Sequence, residues 1–404
     1  MNADYTNFAP RIGVAYSVGP KLTIRSGFGI FYATDIGNSS YDLARNLFVR
    51  RTANSDSNFP NLTLDNPFLS QGTPIVVAPL PLGTFVGLRK PYVLQYLFNI
   101  QQQLTKDSVL EIGYAGSEGH KLAHYYGANF PLPGPGNVQS RRPYTEFANI
   151  FYMESGINSN YNALTAKLTQ RFSHGLTSLV SYTFSKSIDN GSSVRARNGD
   201  AASENQQNPY DMRAERGVSI FNSPHRFVTS FTYEPPIGKG KQWLSRGGVP
   251  GVILGDWQIG SIITAVTGYP FTITSGIDDA NIGGNSTQRP NYLGTQLTPL
   301  SGIQDPQQWF NPAAFARVTP FTFGNSGRDT MVGPGTFQWD FSALKSFPMP
   351  VEGHKLQFRF EAFNFPNRPN FSIPNSSLTG AAFGKITTTA VKMRELQLSL
   401  KYIF

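Results

Sequence analysis

The 404-residue chain contains no cysteine, and only 15% of its residues are charged. The first absence excludes disulfide scaffolds, thiolate metal centres and cysteine nucleophiles. The second leaves the chain short of solvating surface, since soluble proteins carry roughly 25% charged residues. No apolar run approaches the ~20 residues of a transmembrane helix. Nor does a Gly-x-Ser-x-Gly elbow occur, and Gly247-Gly248-Val249-Pro250-Gly251 lacks the Lys-Ser/Thr and the helix of a phosphate loop. No secretion signal stands between Met1 and the strand-like alternation that begins by Phe8, which implies either a cytoplasmic chain or a missing front end, and the rest of the sequence favours the second.

Aromatics, glycine and proline are plentiful instead: 31 Phe, 18 Tyr, 4 Trp, 39 Gly and 29 Pro. This mixture favours strands and loops over a helical enzyme, and it is too rich in aromatic residues for disorder. The net charge of +9 comes from scattered basic residues. Between Asp189 and Gly217, for example, Arg195, Arg197, Arg213 and Arg216 are interleaved with Asp189, Asp200, Glu204, Asp211 and Glu215. That stretch reads as a solvated loop of mixed sign, and no nucleic-acid partner is expected.

A period of two dominates. At the C-terminus Leu396, Leu398, Leu400, Tyr402 and Phe404 share one face, while Glu395, Gln397, Ser399 and Lys401 share the other. Similar alternation marks about eleven segments, near 8–18, 21–32, 92–104, 107–118, 159–172, 175–188, 224–234, 254–267, 336–347, 354–364 and 393–404. Most are longer than a globular strand of ~5–6 residues and match the ~9–11 of a tilted strand crossing a bilayer.

Tight turns at Val18-Gly19-Pro20, Thr105-Lys106-Asp107, Ser173-His174-Gly175 and Pro348 to Gly353 alternate with long polar links at 33–91, 119–158, 189–223, 268–335 and 365–392. Glu234 to Leu254 is the exception, a medium-long link where a short one is expected. The Gly/Pro-rich patches Pro131 to Asn137 and Gly238 to Gly251 read as loops. Soluble domains seldom carry one structureless link beyond ~12–15 residues, whereas outer-membrane barrels have this asymmetry by construction. The expected fold is all-β, an antiparallel transmembrane β-barrel of about eleven strands, partial, with long extracellular loops and short periplasmic turns.

Chemistry-bearing clusters are sparse. His120 and His124 have zinc spacing only on a helix, and this segment reads as a strand end entering a loop. His174 falls in a tight turn. Asp278, Asp279, Asn281 and Asn285 could offer oxygens to calcium, but the spacing fits an ordinary Asn/Asp-rich loop better. No catalytic residue, cofactor or metal is expected. Trp257, Trp339, Tyr182, Tyr233, Tyr402 and Phe404 fall near strand ends or on apolar faces, as in interfacial girdles.

Six stretches carry a family resemblance. They are Asn7-Phe8-Ala9-Pro10-Arg11-Ile12-Gly13, Arg25-Ser26-Gly27-Phe28-Gly29-Ile30-Phe31-Tyr32, Leu110 to Leu122, Phe323-Gly324-Asn325-Ser326-Gly327-Arg328, Arg359-Phe360-Glu361-Ala362-Phe363-Asn364 followed by Pro369-Asn370-Phe371, and the terminal Phe404. In order and spacing the chain resembles the Oar-like TonB-dependent receptors of bacterial outer membranes. Such receptors are barrels of about 22 strands, plugged by an N-terminal domain that follows a TonB-contact segment.

The resemblance implies that residues 1–404 correspond to the C-terminal part of the barrel, without signal peptide, plug or TonB-contact segment. It implies binding of an unidentified ligand and its TonB-dependent uptake in the intact protein, with TonB met only through the missing N-terminal part. Outer-membrane lipid and lipopolysaccharide, and the barrel-assembly machinery reading Leu396, Leu398, Leu400, Tyr402 and Phe404, are further implied partners. Arg359, Glu361, Glu395 and Lys401 would face the lumen or the plug. An adhesion barrel binding carbohydrate or cell-surface partners through its loops is the main alternative, and a soluble β-sandwich lectin or hydrolase a third.

Overall fold

The computed structural model describes residues 7–33, 65, 82–192, 206–246, 248–283, 288–299, 301–302 and 304–404. Eleven long strands form one antiparallel sheet: β1 (Arg11–Ser17), β2 (Leu22–Tyr32), β3 (Tyr92–Gln103), β4 (Ser108–Gly127), β5 (Phe151–Ser173), β6 (Leu176–Asp189), β7 (His225–Tyr233), β8 (Trp257–Val266), β9 (Thr336–Pro348), β10 (Lys355–Phe363) and β11 (Glu395–Ile403). Each pairs with its chain neighbours, so strand order follows chain order. Among the described residues, β1 pairs only with β2 and β11 only with β10, which leaves the sheet open with two free edges.

Register carries the sequence alternation across the whole sheet. Leu398 lies opposite Phe360, Phe360 opposite Ala343 and Ala343 opposite Ile259. At the other edge Tyr16, Ile24, Ile100 and Ile112 stand in one row. One face is therefore a continuous apolar band, and its side chains are open; Leu398 is 68% exposed. A face of this extent on a soluble monomer would be an aggregation site.

All short connections lie on one side of the sheet. Between β5 and β6, His174 (φ 53°) and Gly175 (φ 79°) make a two-residue turn of the primed kind that hairpins favour. A Cβ at Gly175 would sit inside van der Waals contact of the Glu234 carbonyl oxygen. The exceptional link between β7 and β8 is not all loop: α1 (Gly248–Leu254) occupies it. That corrects the loop reading for Gly248 to Gly251 only, since 238–246 form no helix; Gly247 lies outside the described residues.

β4 and β5 also run further than expected. They continue past a register shift between Gly119 and Ala123, where Lys121 adopts φ 55°, to form a projecting hairpin ending at Gly127 and Phe151. The short strand Leu82–Thr84 pairs with its β5 arm in parallel.

The buried apolar clusters lie in the long links. Phe271, Ile273, Phe310, Ala314, Phe315 and Met331 form one, against Trp309, Leu378 and Phe383. Phe130, Ala280 and Ile282 form a second, against Phe151 and Phe323. Among the described residues, parts of the links that read as polar and structureless thus fold as a packed cap, with Phe271, Phe310 and Phe315 at its centre.

Candidate functional site

The sheet's other face is polar. Arg25 Nη1 donates to Gln101 Oε1 at 2.7 Å, and Gln101 stands opposite Glu111, itself opposite Lys167. Asp340 accepts from Gln338 Nε2 at 3.0 Å and from the Asn364 N–H at 2.9 Å. A hollow of roughly 700 Å³ is lined largely by this face, including Lys167, Thr232, Asp340, Ser342 and Glu361.

All four sequence candidates stand on the polar face. Arg359 and Glu361 approach to 3.5 Å, while Glu395 pairs with Lys392 at 3.2 Å at the loop end of β11. Lys401 lies opposite Gln357 at the turn end. The structure therefore unites Arg359 with Glu361 and keeps Glu395 and Lys401 apart. Leu396, Leu398, Leu400 and Tyr402 line the opposite, apolar face of β11, and Phe404 follows its last residue. Tyr402 Oη and His354 Nδ1 are 2.6 Å apart.

Above the hollow, charges hold the cap together. The guanidinium of Arg289 contacts the Glu215 carboxylate at 2.7 and 3.2 Å. Arg328 pairs with Asp189 and with Asp329, the latter at 3.0 Å, and its Nε donates to the Glu215 carbonyl at 2.8 Å. Asp189 and Glu215, expected to be solvated, are 1% and 2% exposed. The desolvation cost of such charges is met only by close partners, which these arginines supply. Burial raises the pKa of Asp329, with Arg328 opposing the shift. Arg195, Arg197, Asp200 and Glu204 lie outside the described residues.

The projecting hairpin adds an aromatic cluster. Tyr126 and Tyr152 rings lie 5.2 Å apart, and Phe85 is 6.1 Å from Tyr152. His124 is on strand β4, which corrects its placement in a loop; its Nε2 is 3.3 Å from Glu154 and its Nδ1 3.0 Å from Gln206 Nε2. Burial lowers its pKa against the opposing pull of Glu154. His120 faces Glu118 at 3.5 Å instead, and no group of metal-ligating side chains occurs among the described residues. The Asp278 carboxylate accepts from the Ile282 and Gly283 N–H groups and from Gln288 Nε2, as a turn cap does. Asp279 pairs with Arg317 at 2.8 Å, and Asn285 lies outside the described residues.

Sequence reasoning missed the pairing of Arg289 with Glu215 and of Arg328 with Asp189, because these acids lie more than seventy positions away along the chain. One signal was present. Arg328 ends the quoted stretch Phe323 to Arg328, in which a Cβ at Gly324 would meet the backbone of Arg289 and Pro290. Lys345 was also missed. It lies in the apolar row between Trp257 and Phe358 and is 3% exposed.

An open, meandering sheet with one apolar and one polar face, short turns on one side and a packed cap on the other, defines a membrane β-barrel wall. The chain belongs to the outer membrane beta barrel domain family, whose model matches residues 1–397. It lies in an outer membrane, its apolar face toward lipid. No curated protein matches it in sequence.

Among solved structures it is similar to the outer membrane transporter YddB from Escherichia coli, at 10% identity and a TM-score of 0.50, over 95% of this chain and 38% of that one. FpvA of P. aeruginosa, bound to heterologous pyoverdines, matches at 9% identity and 0.47, over 98% and 33%. The FrpB iron transporter from Neisseria meningitidis matches at 11% and 0.44, over 98% and 39%. At such identities the likeness concerns the fold. The chain spans about two fifths of YddB's length.

Proposed function

We propose that the chain forms part of the wall of an outer-membrane receptor of the TonB-dependent, Oar-like kind, which binds a ligand at its extracellular cap and passes it through the lumen. The observation that carries this reading is the pairing of a concave polar face with a packed cap on the loop side. The likeness in fold to YddB, an outer membrane transporter, supports it. On this reading the two free edges are closed by further strands, and the protein has no catalytic role. The alternation ending in Phe404 serves the barrel-assembly machinery, and lipopolysaccharide packs against the outer half of the apolar band.

The test compares uptake of labelled small molecules, from ferric chelates to oligosaccharides, in a parent strain, a strain lacking the gene and a TonB-depleted strain. Loss of the same compound in both altered strains supports the proposal. Binding to the parent's surface without uptake favours an adhesion barrel. That second reading draws on apolar side chains standing open on the cap, among them Leu132, Tyr144 and Tyr210.

A further inference from the structure

Helix α1 stands in the one link that breaks the pattern of short turns. Its sequence, Gly-Val-Pro-Gly-Val-Ile-Leu, contains no charged or hydrogen-bonding side chain. Val249, Val252, Ile253 and Leu254 are 57% to 71% exposed. Seven residues cannot hold a helix by backbone propensity alone, so its stability must come from what it packs on.

Its position decides which solvent it meets. Lys345 lies in the lipid-facing row of β9, with its ammonium 5.6 Å from the Trp257 ring centre and 5.2 Å from that of Phe347. The same ammonium donates to the carbonyls of Ile253, at 3.2 Å, and Gly255. Trp257 Nε1 donates to the Ile253 carbonyl at 2.9 Å. The C-terminal end of α1 is therefore fastened to the outside of the wall, at its periplasmic rim. Carbonyls at a helix end need partners wherever water is scarce. A cation there also complements the helix dipole. Nearby, Lys239 and Arg246 are exposed, and Lys241 pairs with Asp256 at 3.1 Å.

The geometry points to α1 as a membrane anchor lying in the periplasmic leaflet of the outer membrane, its aliphatic side chains among phospholipid acyl chains. Lys239 and Arg246 face the phosphate headgroups. The occupant is phospholipid because Trp257 and Lys345, in the lipid-facing rows of β8 and β9, both hold the end of α1, so its exposed apolar side chains adjoin that band, as in interfacial helices generally. Lys345 is the rivet, a charge tolerated on the lipid face because the helix end encloses it.

Single cysteines test this directly, since the chain has none of its own. Val252→Cys and Ile253→Cys would carry a nitroxide in the full-length protein in outer-membrane preparations. Leu398→Cys on the apolar face and Glu352→Cys in the β9–β10 turn serve as references. The measurement is the ratio of collision with oxygen to collision with a water-soluble nickel chelate. Both helix sites should give ratios like Leu398 and several-fold above Glu352. Ratios equal to that of Glu352 would overturn the anchor by placing α1 in water. Low access to both reagents would overturn it by showing the helix covered by protein.

Discussion

Arg328 has the most to lose on substitution. Arg328→Met keeps the bulk of the side chain but removes the guanidinium paired with the buried Asp189 and Asp329. Breaking a buried pair in this way costs about 3–5 kcal/mol. Cleavage of the 190–224 and 267–335 links by added protease should therefore rise sharply on intact cells, with the sheet still heat-modifiable in detergent. His124 gives a pH prediction. Burial holds its folded pKa below the unfolded value of roughly 6.5, so the stability it confers is full above that value. It is lost as pH falls through the window down to the lowered pKa. Protease resistance of the projecting hairpin should drop between neutral and mildly acidic pH in the parent. In His124→Gln that drop should shrink, and an unchanged drop would assign the effect to another group.

Among the elements, the strands were legible and their ends were not. Period two survives wherever one face meets hydrocarbon and the other water, which fixes register residue by residue. Above Gly119 both faces of β4 and β5 meet packed links, so alternation fades and the projection could not be read. Lys345 was illegible for a related reason, since a charge in an apolar row looks like a break in the pattern until the helix end beside it is known. Two neighbouring residues separate the faces experimentally. Val180→Arg, near mid-strand on the apolar face, should cost about 2–4 kcal/mol in folding into lipid vesicles. Ser181→Arg, one residue on, should cost little. Equal costs would contradict the assignment of faces. At the β5–β6 turn, Gly175→Ala meets both a positive φ and the Glu234 carbonyl. It should cost about 1 kcal/mol or more in the same assay.

At the level of the whole molecule, the hydrophobic core sits in the cap, because the apolar band of the sheet is solvated by lipid and has no need of an interior. That inversion hid the cap from sequence reasoning. Phe271, Phe310, Phe315 and Phe383 are neighbours in space but scattered over more than a hundred positions with no period to betray them. The quoted family stretches did mark its fastenings. Asn364 accepts from the Arg368 N–H and Asn370 from the Phe337 N–H, so each binds a link to the sheet's rim.

The open edges of β1 and β11 carry the largest consequence. Backbone groups left unpaired in hydrocarbon cost several kcal/mol each, and on the proposed reading further strands close the wall. The most direct measurement is the apparent mass of the native protein in a washed outer-membrane fraction, with and without heating in detergent. A heat-modifiable band well above 44.5 kDa is expected, with the eleven strands as one part of a larger barrel. A heat-modifiable monomer at 44.5 kDa would contradict this by showing that eleven strands close on themselves.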